Sequence, residues 1–265
     1  MLGKRIRLER IIDRNSKKTV LLPLDHGAGM GPIEGLVDLK SAVDAAAEGG
    51  ANAVIGHLGL ALHGHRSGGK DIGLILHFSV STELNPVDGN EKVSVNNVQT
   101  ALKLGADAVS IHINLGSETE AEQLRVFGKI ATNCIEWGMP LLVMAYPRGP
   151  KIANPNDVEN VKKVARIAAE LGADIIKVPY TGDPKTFKEV VDGALGVPVV
   201  IAGGAKGDDL AALKMVEGAI AAGGAGVAMG RNAFQHKNPA AFIRATAAVV
   251  HQGMSAEAAA KKFLK

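Results

Sequence analysis

Apolar stretches recur along this chain with a fixed punctuation. Glu48-Gly-Gly-Ala-Asn-Ala-Val54, Leu104-Gly-Ala-Asp-Ala-Val109, Leu171-Gly-Ala-Asp-Ile-Ile176 and Ala222-Gly-Gly-Ala-Gly-Val227 are one phrase written four times. Each joins the end of a helical pattern, a glycine suited to the left-handed cap and the start of an apolar strand. Between them lie four more apolar runs, Val20 to Asp25, Gly73 to Ser79, Leu141 to Tyr146 and Pro198 to Gly204, each ending in a polar residue or glycine. Interleaved, the two sets predict eight strands. Helical periodicity fills most of the gaps, over Leu39 to Glu48, Val95 to Leu104, Glu118 to Trp137, Asp157 to Leu171, Lys185 to Asp192, Leu210 to Ala222 and Pro239 to His251. Strand and helix in alternation, with strands that read as continuously apolar, predict a parallel sheet covered by helices. Eight such units in 265 residues predict an α/β fold, a (β/α)8 TIM barrel spanning 1–265 as one domain. An open doubly wound sheet is the alternative that local pattern does not separate. Residues 2 to 14 read as a short amphipathic helix ahead of the barrel.

Composition sharpens this reading and excludes several function classes. Six Phe, two Tyr and one Trp stand against 32 Gly, which suits closely packed helices and tight turns. The net charge is +3 with both signs interspersed, so no basic stripe points to nucleic acid. The single cysteine, Cys134, excludes a disulfide framework and a cysteine-rich zinc site, and its helical position suits a reduced, buried thiol. His63 and His65 lack carboxylate or cysteine partners at ligand spacing, so no metal is expected. No apolar run reaches the ~18 residues of a membrane span and no leader pattern opens the chain, so a cytoplasmic protein is expected.

Chemistry in a barrel collects where strands end. Those positions hold Asp25 and His26, His57, His77, His112 with Asn114, Tyr146, Lys177, Gly203 with Gly204, and Gly230 with Arg231. Lys177 stands inside an otherwise apolar strand. It is either a nucleophile for carbonyl carbon at the strand's open end, or a lysine that reaches the rim or pairs with Asp183. Ile201-Ala-Gly-Gly-Ala-Lys-Gly207 offers backbone N–H groups to an anion, and Met229-Gly-Arg-Asn232 adds a guanidinium after the next strand, where barrels commonly hold phosphate. Asp25 precedes the flexible Gly27-Ala-Gly-Met-Gly31 and reads as a site carboxylate or a turn residue. Tyr146 reads as a proton donor or a cap on the core rim. His57, His77 and His112 read individually as hydrogen-bonded core residues or as site groups, and Leu62 to Asp71 as a loop over the mouth with Arg66 or Lys70 contacting substrate.

Asp25-His-Gly, Tyr146-Pro-Arg-Gly, Lys177-Val-Pro-Tyr-Thr-Gly-Asp183, Ala202-Gly-Gly and Gly230-Arg-Asn-Ala-Phe-Gln235 together resemble the class I, Schiff-base aldolases of the archaeal fructose-bisphosphate aldolase group, in the group's own order and through essentially the whole chain. The resemblance implies an imine on Lys177 with no other cofactor, Tyr146 as acid and base, and Asp25 assisting. It implies a phosphorylated ketose and an aldehyde as small-molecule partners, with Gly203, Gly204, Gly230, Arg231, His26 and Arg148 around the donor. It also implies a homo-oligomer, decameric in many members. Within the group, Gly64-His-Arg-Ser-Gly-Gly-Lys-Asp-Ile-Gly-Leu-Ile-Leu-His77 is similar to members that move a three-carbon ketone unit from 6-deoxy-5-ketofructose 1-phosphate to L-aspartate semialdehyde, toward 3-dehydroquinate and the aromatic amino acids. Bisphosphate aldolases of the group tend to carry lysine where this chain has His77, so His57, His77 and Arg66 are expected on the acceptor side. Ala205 departs from the proline that relatives often carry. Within the resemblance the alternative is a fructose-1,6-bisphosphate aldolase; the residues themselves also leave a non-covalent phosphate-binding barrel that acts as an isomerase or a sensor.

Overall fold

The computed structural model describes residues 1–64, 71–84 and 89–264. Its strands are β1 (Thr19–Pro23), β2 (Ala53–Gly56), β3 (Gly73–His77), β4 (Ser79–Val80), β5 (Val93–Ser94), β6 (Ala108–Leu115), β7 (Leu141–Pro147), β8 (Ile175–Val178), β9 (Val199–Ala202) and β10 (Gly226–Ala228). Eight of them close a parallel barrel in the order β1-β10-β9-β8-β7-β6-β3-β2. β4 and β5 form a separate antiparallel hairpin that the sequence pattern did not predict: the run expected to continue from Gly73 to Ser79 breaks at Phe78. The longer flanking helices are α3 (Leu39–Gly49), α6 (Glu120–Glu136), α7 (Val158–Glu170), α8 (Pro184–Asp192), α9 (Asp209–Ala221) and α11 (Pro239–Gln252), close to the expected bounds. The shorter α1 (Leu2–Leu8), α2 (Gly27–Met30), α4 (Leu58–His63), α5 (Val98–Lys103), α10 (Arg231–Phe234) and α12 (Ala256–Phe263) complete the set.

The strands are apolar on both sides because each side is buried against something different. Leu21, Ile55, Ile75, Leu142, Ile175 and Val200 fill the barrel interior. Alternate residues such as Leu22, Val54, Leu76, Val143, Ile176 and Ile201 belong to the layer beneath the helices. Period-2 geometry is therefore intact, though hydropathy conceals it. It fixes direction: counting by twos from Ile175 turns Lys177 inward, and the same count turns Asp25, His57, His77, Ser110, His112, Tyr146 and Gly230 inward too.

The repeated phrase has a job beyond ending a helix. Asn52 Oδ1 accepts from Val20 N at 2.8 Å, Asp107 Oδ2 from Leu74 N at 2.9 Å, and Asp174 Oδ2 from Leu141 N at 2.8 Å, so each ties its strand to the neighbour's start. In the fourth copy the position is Gly226, with φ 142°, where a Cβ would lie 1.8 Å from Thr19 O. The same aspartates anchor the N-terminal segment through Lys4 to Asp174 at 2.9 Å and Arg10 to Asp107 at 2.6 Å. Helix α1 stops at Leu8, short of the expected 14, because Ile11 must leave the helix to plug the barrel floor, where it is fully buried.

Candidate active site

Lys177 sits at the inward level of β8, opposite Met144 on β7 and Val200 on β9. It is 7% exposed, and its Nζ lies 3.9 Å from Met144 Sδ. Asp183 does not pair with it. That carboxylate caps α8, accepting from Lys185 N and Thr186 N, which answers the alternative posed by the sequence.

Asp25 faces the same space from the end of β1. Its Oδ1 lies 3.6 Å from His26 Nδ1 and its Oδ2 lies 3.7 Å from His77 Nε2, both just beyond hydrogen-bond length. Burial would raise this carboxyl, but His77, His26, Lys177 and His57 outweigh it and hold the group down at about 2. Burial pushes His77 down to about 4 against the pull of Asp25, so its ring is neutral near pH 7. His26, His57 and His112 are likewise lowered, first of all by burial. For His57, His77 and His112 the choice between core and site has a joint answer: these three rings are hydrogen-bonded and they line the site. His57 Nδ1 lies 3.2 Å from His77 O, His77 Nδ1 lies 2.8 Å from Ser110 Oγ, and His112 Nε2 lies 2.9 Å from Asn114 Oδ1. The Tyr146 ring lies between His112, centroids 4.8 Å apart, and the Arg148 guanidinium, 4.6 Å from the ring centroid.

Two lobes meet at this ring. One, of about 250 Å³, is lined by Lys177, Tyr146, Gly203, Gly204, Gly230 and Arg231 among others. The other, of about 360 Å³, is lined by His57, His77, Ser79, Ser81, Glu83 and Lys92 among others. Asp25, His26, His112 and Arg148 line both. In the first lobe Gly204 takes φ 68°, and Gly230 leaves space for the His26 ring, whose Cε1 would be 2.7 Å from a Cβ there. Arg231 Nε, Asp25 Oδ1 and His26 Nδ1 are buried without a partner among the described residues, an arrangement suited to groups that bind a ligand. Among those residues no three of His, Cys, Asp or Glu form a metal-holding group.

Every expected site residue except Arg66 and Lys70 comes together here; those two lie outside the described residues. Leu62 and His63, read from sequence as loop, end helix α4. Sequence reasoning missed Ser110 and Asn232. Asn232, 4% exposed, staples the glycine loop: its Nδ2 donates to Gly203 O at 2.9 Å and Ala205 O at 3.0 Å, and its Oδ1 accepts from Gly207 N at 2.8 Å. Lys206 adds a bond to Gln235 O at the end of α10. An amide directly after the arginine expected to hold phosphate was the only available signal.

Residues 19–236 match the family described as DeoC/LacD family aldolase. The chain is 46% identical over 257 residues, 97% of its own length and 94% of the relative's, to 2-amino-3,7-dideoxy-D-threo-hept-6-ulosonate synthase 1 of Archaeoglobus fulgidus. It is 37% identical, over 94% of this chain and 90% of the relative, to 2-amino-4,5-dihydroxy-6-oxo-7-(phosphonooxy)heptanoate synthase of Streptomyces griseus. A solved archaeal fructose-1,6-bisphosphate aldolase, with its catalytic lysine bound to the carbinolamine intermediate of the substrate, superposes with a TM-score of 0.86 at 34% identity, covering 94% of this chain and 99% of that one.

Proposed function

We propose, for a chain that belongs to the DeoC/LacD family of aldolases, a Schiff-base transaldolase that makes 2-amino-3,7-dideoxy-D-threo-hept-6-ulosonate from 6-deoxy-5-ketofructose 1-phosphate and L-aspartate semialdehyde. The observation that carries the reading is the pair of lobes meeting at Asp25, one with a buried lysine beside Gly203, Gly204 and Arg231 and one lined by His57, His77, Glu83 and Lys92. The product's methyl ketone end requires Lys177 to take the donor ketone next to its methyl group. Its amine adds to that carbon, and loss of water gives an iminium. The iminium draws electrons from the C3–C4 bond while Asp25 or Tyr146 takes the C3 hydroxyl proton. The C3 half leaves as a phosphorylated aldehyde, and an enamine stays on the lysine. Gly203, Gly204, Gly230 and Arg231 hold the phosphate of the departing half. The enamine carbon then attacks the aldehyde of aspartate semialdehyde, the new alkoxide takes the proton back, and hydrolysis frees Lys177.

The second lobe supports the acceptor assignment. Glu83, Lys92 and Arg148 line it, charges of both signs that suit a zwitterionic amino acid. Lys92 is held by Ser81 Oγ and Gly89 O, and His57 and His77 add no fixed charge near neutrality. On this reading no other cofactor takes part, and the enzyme is a cytoplasmic homo-oligomer. No described helix is long and apolar enough to cross a membrane, and exposed Leu2, Ile6, Ile135 and Trp137 leave apolar surface for a second copy.

Borohydride reduction with the donor present, followed by mass measurement of the Lys177 peptide, tests the imine; kcat/KM for the two-substrate reaction against cleavage of fructose 1,6-bisphosphate tests the substrate. A trapped adduct with a higher kcat/KM for the transaldol pair is expected. Faster bisphosphate cleavage with no use of aspartate semialdehyde would replace the synthase by a plain aldolase. No adduct would leave a non-covalent phosphate-binding barrel.

A further inference from the structure

We propose that Ser110 is a positioning residue for Asp25: its hydroxyl holds His77 in the tautomer whose Nε2–H faces the carboxylate. Ser110 lies inward on β6, fully buried, in register with His77 on the adjacent strand. Its Oγ is 2.8 Å from His77 Nδ1 and has no other partner among the described residues. A hydroxyl carries one proton. If Ser110 accepted from an Nδ1–H, its own proton would be buried with nowhere to go, which interiors avoid. The hydroxyl therefore donates, Nδ1 accepts, and the single proton of the neutral ring sits on Nε2.

That nitrogen is 3.7 Å from Asp25 Oδ2. At that separation, beyond hydrogen-bond length, the N–H dipole favours the ionised carboxylate without occupying its lone pairs, so Asp25 keeps them for a substrate proton. The reverse tautomer would aim a lone pair at an anion and weaken the anion's hold on its ionised state. The ring cannot be read in isolation. Asp25, His57, Lys177 and Lys92 act on it, while His77, His26, Lys177 and His57 act on Asp25. His57 does not compete for the proton, since its Nδ1–H donates to the His77 carbonyl at 3.2 Å and leaves the His77 ring nitrogens alone.

The inference rests on the reading in which Asp25 takes the substrate proton or assists Tyr146 in doing so, so the test has one arm that needs no substrate. ¹⁵N-histidine spectra of the whole enzyme near neutral pH should assign His77 as the Nε2–H form, and Ser110→Ala should convert it to a mixture. In turnover of 6-deoxy-5-ketofructose 1-phosphate with aspartate semialdehyde, Ser110→Ala should lower kcat about tenfold, the loss of one buried hydrogen bond. KM for the donor should stay within about twofold, since the phosphate cradle is untouched. The acid limb of the kcat profile should move upward, and Ser110→Thr, which restores the donor, should move it back. Borohydride trapping of the imine should survive in Ser110→Ala. A wild-type His77 protonated on Nδ1, or a Ser110→Ala enzyme with unchanged spectra, kcat and acid limb, overturns the proposal. If the wild type turns over neither substrate, the functional reading falls, and the nitrogen spectra still decide the tautomer.

Discussion

Replacing Asn232 by alanine should loosen the phosphate loop without touching a single group that contacts substrate. The side chain makes three hydrogen bonds, to Gly203 O, Ala205 O and Gly207 N, all between 2.8 and 3.0 Å. At about 1 kcal/mol net each the ceiling is about 3 kcal/mol. Ala205 and Gly207 are exposed, so water recovers part of their bonding and about 1–2 kcal/mol is the better expectation. At roughly 2–4 °C per kcal/mol for a chain of this size, the melting temperature should fall by only about 2–8 °C. The larger effect belongs to binding, because a loop no longer held in place must be ordered by the anion itself. Inorganic phosphate and the phosphorylated donor should bind about tenfold more weakly by calorimetry, with kcat at saturation changed less. Asn232→Asp separates the two halves of the staple: it keeps an acceptor for Gly207 N and loses both donations to the carbonyls. It should bind phosphate more weakly than the alanine variant, since it adds a negative charge beside the cradle. Wild-type phosphate affinity in both variants would show that the glycine loop holds its shape, or the anion binds, by other means.

Lys177→Met should fold normally and lose turnover and borohydride trapping together, because a thioether fills the stem's volume but forms no imine; retention of more than a few per cent of activity would reassign the nucleophile. Arg231→Ala should raise phosphate Kd by about ten- to a hundredfold, the worth of a charge-assisted pair, measured by titration of the phosphorylated donor. Acid should destabilise the site in two stages, read as urea unfolding free energy against pH. His77 is ordinarily half-protonated near 6.5 and is held down to about 4, so its neutral form is favoured by folding and about 3 kcal/mol is lost as pH falls through that window; His77→Gln should make the loss shallower by about that amount and leave the share of His26, His57 and His112, which burial also lowers. Asp25, held at about 2, adds about 2 kcal/mol that is present above pH ~4 and lost between ~4 and ~2.

Much of this molecule is legible locally because its information is local. The glycine cap, the turn of chain and the start of a strand fall within six or seven consecutive residues, and the four copies of that phrase place half of the barrel strands. Lys177, Tyr146 and the paired glycines stand out because each interrupts or ends an apolar run. What failed to show was short or distant. The β4–β5 hairpin has two residues per strand, too few for any period, and α2 and α10 have four each. Ser110 and His77 are 33 residues apart, and Asn232 is 25 to 29 residues from the loop it staples, so neither pairing leaves a trace in spacing.

The deepest ambiguity was direction, and it has a general cause. In a sheet with one wet face, alternation of polar and apolar residues announces which side chains point where. Here both faces are dry, one against helices and one against the barrel interior, and hydropathy is silent on the choice. Only the few inward positions near the strand ends escape burial by other apolar groups, and those are where Asp25, His57, His77, His112, Tyr146 and Lys177 stand. The same closure that hides the alternation therefore concentrates the chemistry. Polar residues on the outward count would meet helices and lose their hydration without partners. On the inward count they meet one another: their fields keep Asp25 ionised, while burial keeps His77 neutral against the pull of Asp25 in a single enclosure.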